Sequence, residues 1–191
     1  MADNASFLDV DWSKLPVPED DGAARHLAGT RLPDVALPAS DGTSVDLGKL
    51  AGRTVVFAYP MTGTPGVALP DGWDLIPGAR GCTPHTCAFR DLHAELKAAG
   101  ASAVFGLSTQ TLAEQTATAA RLHLPFLLLS DAALGLARAM ALPTMEVAGR
   151  TMIRRLALII DDGAVTHVFY PVFPPDRNAG DVLAWLQANP R

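Results

Sequence analysis

The residues Thr54 to Tyr59 are apolar or β-branched throughout, and Pro60 stops them. Such a run reads as a strand buried on both faces, which requires layers of structure above and below it. The segments that follow keep that demand. Phe89, Leu92 and Leu96 recur at spacings of three and four, predicting a helix that ends at Gly100. Ala103–Leu107 reads as the next buried strand, Thr111–Leu122 as a helix with a polar face, and Phe126–Leu129 as a short strand. Ala132–Met140 reads as a helix capped by Ser130 or Asp131. Arg155–Ile160 and Val165–Tyr170 read as a hairpin turning at Asp161-Asp162-Gly163, and Ala179–Leu186 as the closing helix. Strands alternating with helices, then a hairpin and a helix, predict an α/β domain: a mixed central sheet with helices on both faces.

Ahead of the first strand, Val35 to Leu47 reads as a hairpin turning at Asp41-Gly42, and Leu47–Leu50 as a short helical turn. The domain is expected to span residues 32–191. Residues 1–31, with Pro16, Pro18 and the acidic Glu19-Asp20-Asp21, read as an N-terminal arm with a short helix near Ala23–Leu27. Residues 61–81 are rich in Gly and Pro, and so long a loop in a compact domain is usually functional or disordered. Its apolar Trp73, Leu75 and Ile76 favour packing down.

At 191 residues with 49% hydrophobic content, one full core is affordable. The net charge of −5 and the lack of a basic run argue against nucleic acid as a partner. No apolar stretch approaches the roughly 20 residues of a membrane helix, so no membrane association is expected. The N-terminus lacks the basic start and apolar run of a signal peptide, and the expectation is the cytoplasm. In a reducing compartment, two close cysteines are catalytic or metal-binding more often than a structural staple.

Those cysteines lie in Gly81-Cys82-Thr83-Pro84-His85-Thr86-Cys87-Ala88-Phe89-Arg90-Asp91. Pro84 suits the first turn of a helix, with Thr83 as N-cap. A free cysteine is only about 3% thiolate at pH 7, whereas a helix N-terminus and a nearby arginine favour the anion. Full ionisation raises a rate only about thirtyfold, so any larger acceleration must come from donors that stabilise the departing oxygen. Within one helix, five residues mean about 500° of turn and about 7.5 Å of rise. The two sulfurs then cannot meet, and a disulfide requires the first turn to unwind. Arg154 and Arg155 alternate along a strand, so one faces inward, and the spacing to Asp161 selects Arg155. His85 reads as an exposed first-turn residue, with a role as a base or on the thiolate as the alternative, and Arg90 as a surface or site residue. A zinc site from Cys82, His85, Cys87 and His93 has poor spacing, so no metal and no cofactor is expected.

The string Gly-Cys-Thr-x-x-x-Cys-x-Phe-Arg-Asp resembles the active-site helix of the peroxiredoxins, with the cysteine spacing of the Q-type, bacterioferritin comigratory protein-like subgroup. Pro60-Met61-Thr62-Gly63-Thr64-Pro65-Gly66, Leu129-Ser130-Asp131 and Arg155 through Gly163 resemble further segments of that family, so the likeness covers residues 32 to 188. It implies a thioredoxin-like fold and a thiol-dependent peroxidase acting on hydrogen peroxide or organic hydroperoxides. By the same resemblance Cys82 attacks the peroxide and Cys87 resolves the sulfenic acid to a disulfide. Thr64 bonds the peroxide, Pro60 shields the pocket, and Arg155 stabilises thiolate and peroxide. The implied partners are a thioredoxin-like or other dithiol reductant, and the chain is expected as monomer or homodimer. The competing functions are a thioredoxin-type disulfide oxidoreductase, disfavoured by the absence of C-x-x-C, and a non-enzymatic redoxin-like sensor. In the family the cysteine directly follows Thr-Pro-Gly, but here Val67 stands in that place. Either residues 67–81 are an insertion that loops out and returns, as the matching flanks suggest, or Pro60 and Thr64 leave the site.

Overall fold

The computed structural model of the protein describes residues 8–191, so the first seven residues of the N-terminal arm lie outside the described residues. Its central sheet has the strand order β5-β4-β3-β8-β9. These are β3 (Arg53–Ala58), β4 (Ala103–Ser108), β5 (Leu127–Ser130), β8 (Leu156–Asp161) and β9 (Ala164–Phe169). β3 runs parallel to β4, and β4 to β5, while β8 is antiparallel to both β3 and β9. The sheet is therefore mixed, and β3 at its centre is buried along its whole length.

Period-two alternation along β3 builds two cores. Val55, Phe57 and Tyr59 point to one face, where Phe89, Leu96, Val182 and Leu186 cover them. These come from helices α1 (Cys82–Asp91), α2 (His93–Ala98) and α5 (Asn178–Ala188). Val56 and Ala58 point to the other face, against Leu27, Leu37, Leu136 and Met140. That side is closed by the hairpin of β1 (Ala36–Pro38) and β2 (Ser44–Asp46), by helix α4 (Gly135–Ala139) and by the end of the arm. Each large side chain so buried contributes about 1.5–3 kcal/mol.

Local signals account for most boundaries. Helix α3 (Leu112–Leu122) opens on a capping box, Thr111 accepting from the Glu114 N–H while Glu114 accepts from that of Thr111. The Asp131 carboxylate accepts from the Leu136 and Ala137 N–H groups and fixes the start of α4, three residues later than expected. Leu92 departs from helical geometry and divides the single expected helix into α1 and α2.

Three further features differ from the expectations. The arm forms turns, not a helix, near Ala23–Leu27, and Ala24 and Leu27 are part of the core. Residues 29–32 are tied to the start of β9 through bonds between Gly29 and Val165, Thr30 and Val165, and Leu32 and Gly163. An unanticipated hairpin, β6 (Thr144–Val147) with β7 (Arg150–Ile153), precedes β8. It turns at Ala148-Gly149, both at positive φ, where an alanine hides the turn that Asn-Gly would announce. The hairpin supports the long loop: Val147 and Met152 pack with Trp73 and Ala79 in a small third core, joined by Leu69 and Ile76. Trp73 is thus anchored, whereas Leu75 is 80% exposed.

Candidate active site

Cys82 is the first residue of α1, and both cysteines are reduced and buried. The helix is capped by Gly81, not by Thr83 as expected. Gly81 sits at φ +100°, a left-handed conformation that other residues adopt only with strain. A Cβ there would lie 2.7 and 2.8 Å from ring atoms of Trp12 and 3.0 Å from Pro175. Gly81→Ala is therefore expected to cost about 2 kcal/mol from backbone conformation and overpacking together. A thermal melt of the reduced protein checks this. Pro84 is the third residue of α1 and still within the first turn, where its missing N–H costs nothing. The N–H groups of Cys82 and Thr83 have no carbonyl within the helix to bond, and their dipoles favour negative charge at this end.

Arg155 lies between β7 and β8. Arg154 faces outward, bonding Asp21 at 2.8 Å, while Arg155 is 3% exposed. The Arg155 Nη2 group lies 3.2 Å from the Cys82 sulfur and 3.2–3.3 Å from the carbonyls of Gly78, Ala79 and Arg80. Two N–H bonds thus serve four acceptors. Arg155 Nη1 donates to His85 Nδ1 at 2.9 Å, and Nε is buried with no partner among the described residues. Nor is any carboxylate among the described residues ion-paired with Arg155. A buried cation without a counter-ion is costly, and the sulfur of Cys82 is the group placed to supply the negative charge. The Cys82 thiol also contacts the Ala79 carbonyl at 3.5 Å.

His85 is fully buried, contrary to the exposed position expected of it. Burial and the Arg155 charge hold its pKa well below the ordinary histidine value, so the ring is neutral. Its Nε2 lies 2.9 Å from Oδ1 of Asn178, the first residue of α5. Sequence reasoning missed this pair. His85 stands three residues after Cys82, on the same helix face, which was a usable signal. Nothing local marks Asn178.

Cys87 lies on α1, five residues beyond Cys82. Burial pushes its thiol above the ordinary value, against the opposing pull of Arg90 and Arg121. Arg90 bonds Asp91 and the Leu122 carbonyl, on the Cys87 side of the helix. Pro60 is buried, and its carbonyl accepts from Ser108 at 2.9 Å. Thr64 is exposed, in a turn closed by the Val67 N–H on its carbonyl. The cleft beside Cys82 is lined by Met61 and Gly63 from the start of the long loop, by Leu69 and Trp73 from its middle, by Arg80 and Gly81 from its end, and by Thr83 of α1. The chain thus leaves the cleft and returns to it. Thr64 is not among the residues that line this cleft. Among the described residues, no three His, Cys, Asp or Glu side chains are grouped to hold a metal ion.

Residues 27–183 match the Redoxin family. A putative chloroplastic peroxiredoxin Q of Oryza sativa subsp. indica is 31% identical over 161 residues, which cover 84% of this chain. The chain spans 66% of that relative's length. The crystal structure of peroxidoxin BcpB from Mycobacterium tuberculosis has a TM-score of 0.68 and 30% identity, covering 86% of this chain and 98% of that one. A Xanthomonas campestris bacterioferritin comigratory protein, described for its alkyl peroxide reduction activity, has a TM-score of 0.66 and 26% identity, covering 84% and 98%. The mixed central sheet with its covering helices agrees with these likenesses. The chain belongs to the redoxin family and, within it, to the peroxiredoxins of the Q, or bacterioferritin comigratory protein, type.

Proposed function

We propose that this protein is a thiol-dependent peroxidase acting on hydrogen peroxide or alkyl hydroperoxides. The observation that carries the reading is a buried arginine, ion-paired with no carboxylate among the described residues, donating to a cysteine sulfur at a helix N-terminus. The alkyl peroxide activity of the Xanthomonas relative supports the substrate class.

The chemistry follows from the groups present. The Cys82 thiolate attacks one peroxide oxygen; an S–O bond forms as the O–O bond breaks. Sulfur is oxidised to sulfenic acid, and the other oxygen leaves as water or an alcohol after taking a proton. Arg155 and the first-turn N–H groups face the charge that moves from sulfur to the leaving oxygen. Cys87 then attacks the Cys82 sulfur, forming the disulfide and expelling the sulfenic oxygen as water. Both cysteines sit in α1, so this step needs local unwinding. An external dithiol, of thioredoxin-like type, restores both thiols by exchange. Such a cycle suits a reducing compartment, in our reading the cytoplasm.

The test is stopped-flow mixing of the reduced protein with a stoichiometric amount of hydrogen peroxide or cumene hydroperoxide. The expected result is rapid consumption followed by a slower disulfide-forming phase. That second phase is expected to accelerate as pH rises, because burial keeps the Cys87 thiol protonated at neutral pH. In Cys87→Ser the first phase persists and stops at a sulfenic acid that dimedone captures. Consumption no faster than by free cysteine overturns the proposal, and reduction of insulin disulfides without peroxide would favour a disulfide oxidoreductase instead.

A further inference from the structure

We infer that His85, held by Asn178, is a positioning residue that sets the Arg155 guanidinium against the Cys82 sulfur. The inference rests on the peroxidase reading and assigns a role to two buried residues that touch no reacting atom.

Donor and acceptor chemistry leaves one arrangement. A guanidinium only donates, so His85 Nδ1 must offer its lone pair to Arg155 Nη1. In the neutral ring the proton then sits on Nε2, which donates to Asn178 Oδ1. Asn178 therefore selects the tautomer that can accept from Arg155. The ring is also fixed in rotation. Phe57 and Phe89 meet it edge-on, at centroid distances of 5.2 and 5.4 Å and interplanar angles of 73° and 71°. Both residues of the pair are essentially buried, His85 at 0% and Asn178 at 2% exposure. A polar chain of this kind is retained in a core only where each member is satisfied.

Arg155 needs such a support. Its Nη2 group is shared among three carbonyls and the sulfur, so those contacts alone let the plane settle on the carbonyls. The Nη1 bond to His85 is the contact that turns the guanidinium edge toward α1. Because the acceptor is an uncharged imidazole, the orientation is obtained without neutralising the cation.

The experiment uses the full-length reduced protein, with Cys87→Ser as background so that only Cys82 reacts. Two rates are read at pH 7: oxidation by hydrogen peroxide and alkylation by iodoacetamide. His85→Leu is expected to lower both by about 30-fold, through misplacement of one charged donor. His85→Gln, whose carboxamide accepts and donates in the same directions, is expected to recover both to within about threefold. Combined with Arg155→Met, His85→Leu is expected to add less than about twofold, because the two act as one unit. Asn178→Leu reaches the same bond from α5 and keeps the comparison available if His85→Leu does not fold. The inference is overturned if folded His85→Leu reacts at the parent rate. It is equally overturned if His85→Gln is as slow as His85→Leu, or if the His85→Leu factor persists in full on Arg155→Met. If alkylation follows the expected pattern while no variant consumes peroxide, the peroxidase reading fails and the positioning of Arg155 at Cys82 stands.

Discussion

Cys82→Ser is expected to lose the first turnover with peroxide entirely, with consumption falling at least about a thousandfold to the background of the remaining thiol. Serine keeps the size and the bonding pattern, so the variant should fold and retain its contact with Arg155. What it lacks is a readily ionised, polarisable nucleophile; an alcohol is scarcely ionised at neutral pH. Cys87→Ser must behave oppositely and keep the first phase. The pair of variants therefore separates the attacking sulfur from the resolving one by a single rate, measured by stopped-flow peroxide consumption. A Cys82→Ser protein that still reacts at the parent rate would move the attack to Cys87 and remove the role assigned to the helix N-terminus.

Arg155→Met is expected to slow oxidation of Cys82 by about 10²–10³-fold, the usual cost of removing a preorganised donor to developing charge. The loss has two parts. The sulfur loses its Nη2 donor at 3.2 Å, and the peroxide loses the only arginine shown bonded to that sulfur among the described residues. Methionine fills the space without burying a charge, which offsets part of the stability lost as the Gly78, Ala79 and Arg80 carbonyls and His85 lose their donor. Circular dichroism and a thermal melt should show a folded protein, less stable by a few degrees. Arg155→Lys is expected to restore only part of the rate. A single ammonium cannot reach His85 and Cys82 together, as the two ends of the guanidinium do. A rate in Arg155→Met within threefold of the parent would mean that the buried guanidinium serves structure alone.

How far such a site can be read from residues depends on whether its contacts are local. Thr54 to Tyr59 could be recognised as the central strand because burial on both faces leaves no polar residue to interrupt the run. The Asp161-Asp162-Gly163 turn carries its own chemistry in the side chains, and so does the Thr111 cap, although Thr111 itself was expected to be the first helical residue. Cys82 was legible for the same reason: a glycine, a cysteine and a nearby proline announce a helix start. His85 was not, since first-turn polar residues are ordinarily solvated. Here the turn is covered by the Pro175–Arg177 segment and by α5, which lie about ninety residues away in sequence. The exposed position of Thr64, outside the cleft lining, was illegible for the opposite reason. Its motif is intact, but residues 67–81 separate it from the cysteine, and on return of the chain Thr83 and Arg80 share the cleft with Met61 and Gly63. The β6–β7 hairpin escaped notice because its turn uses Ala148.

Both cysteines belong to one ten-residue helix, and that fact reaches beyond rates to the reduction potential. If the disulfide can close only when the first turn of α1 comes apart, the free energy of folding that turn is regained whenever the disulfide is cleaved. The helix then acts as a spring on the redox couple, making the oxidised protein the stronger oxidant and the easier one for a dithiol to reduce. For a two-electron couple, about 1.4 kcal/mol corresponds to about 30 mV. The His85–Asn178 bond and the packing of Trp12 on Gly81 are terms in that potential, although none of these four residues touches Cys87 in any bond described above. A change that loosens the first turn should lower the potential even where it leaves both thiols in place.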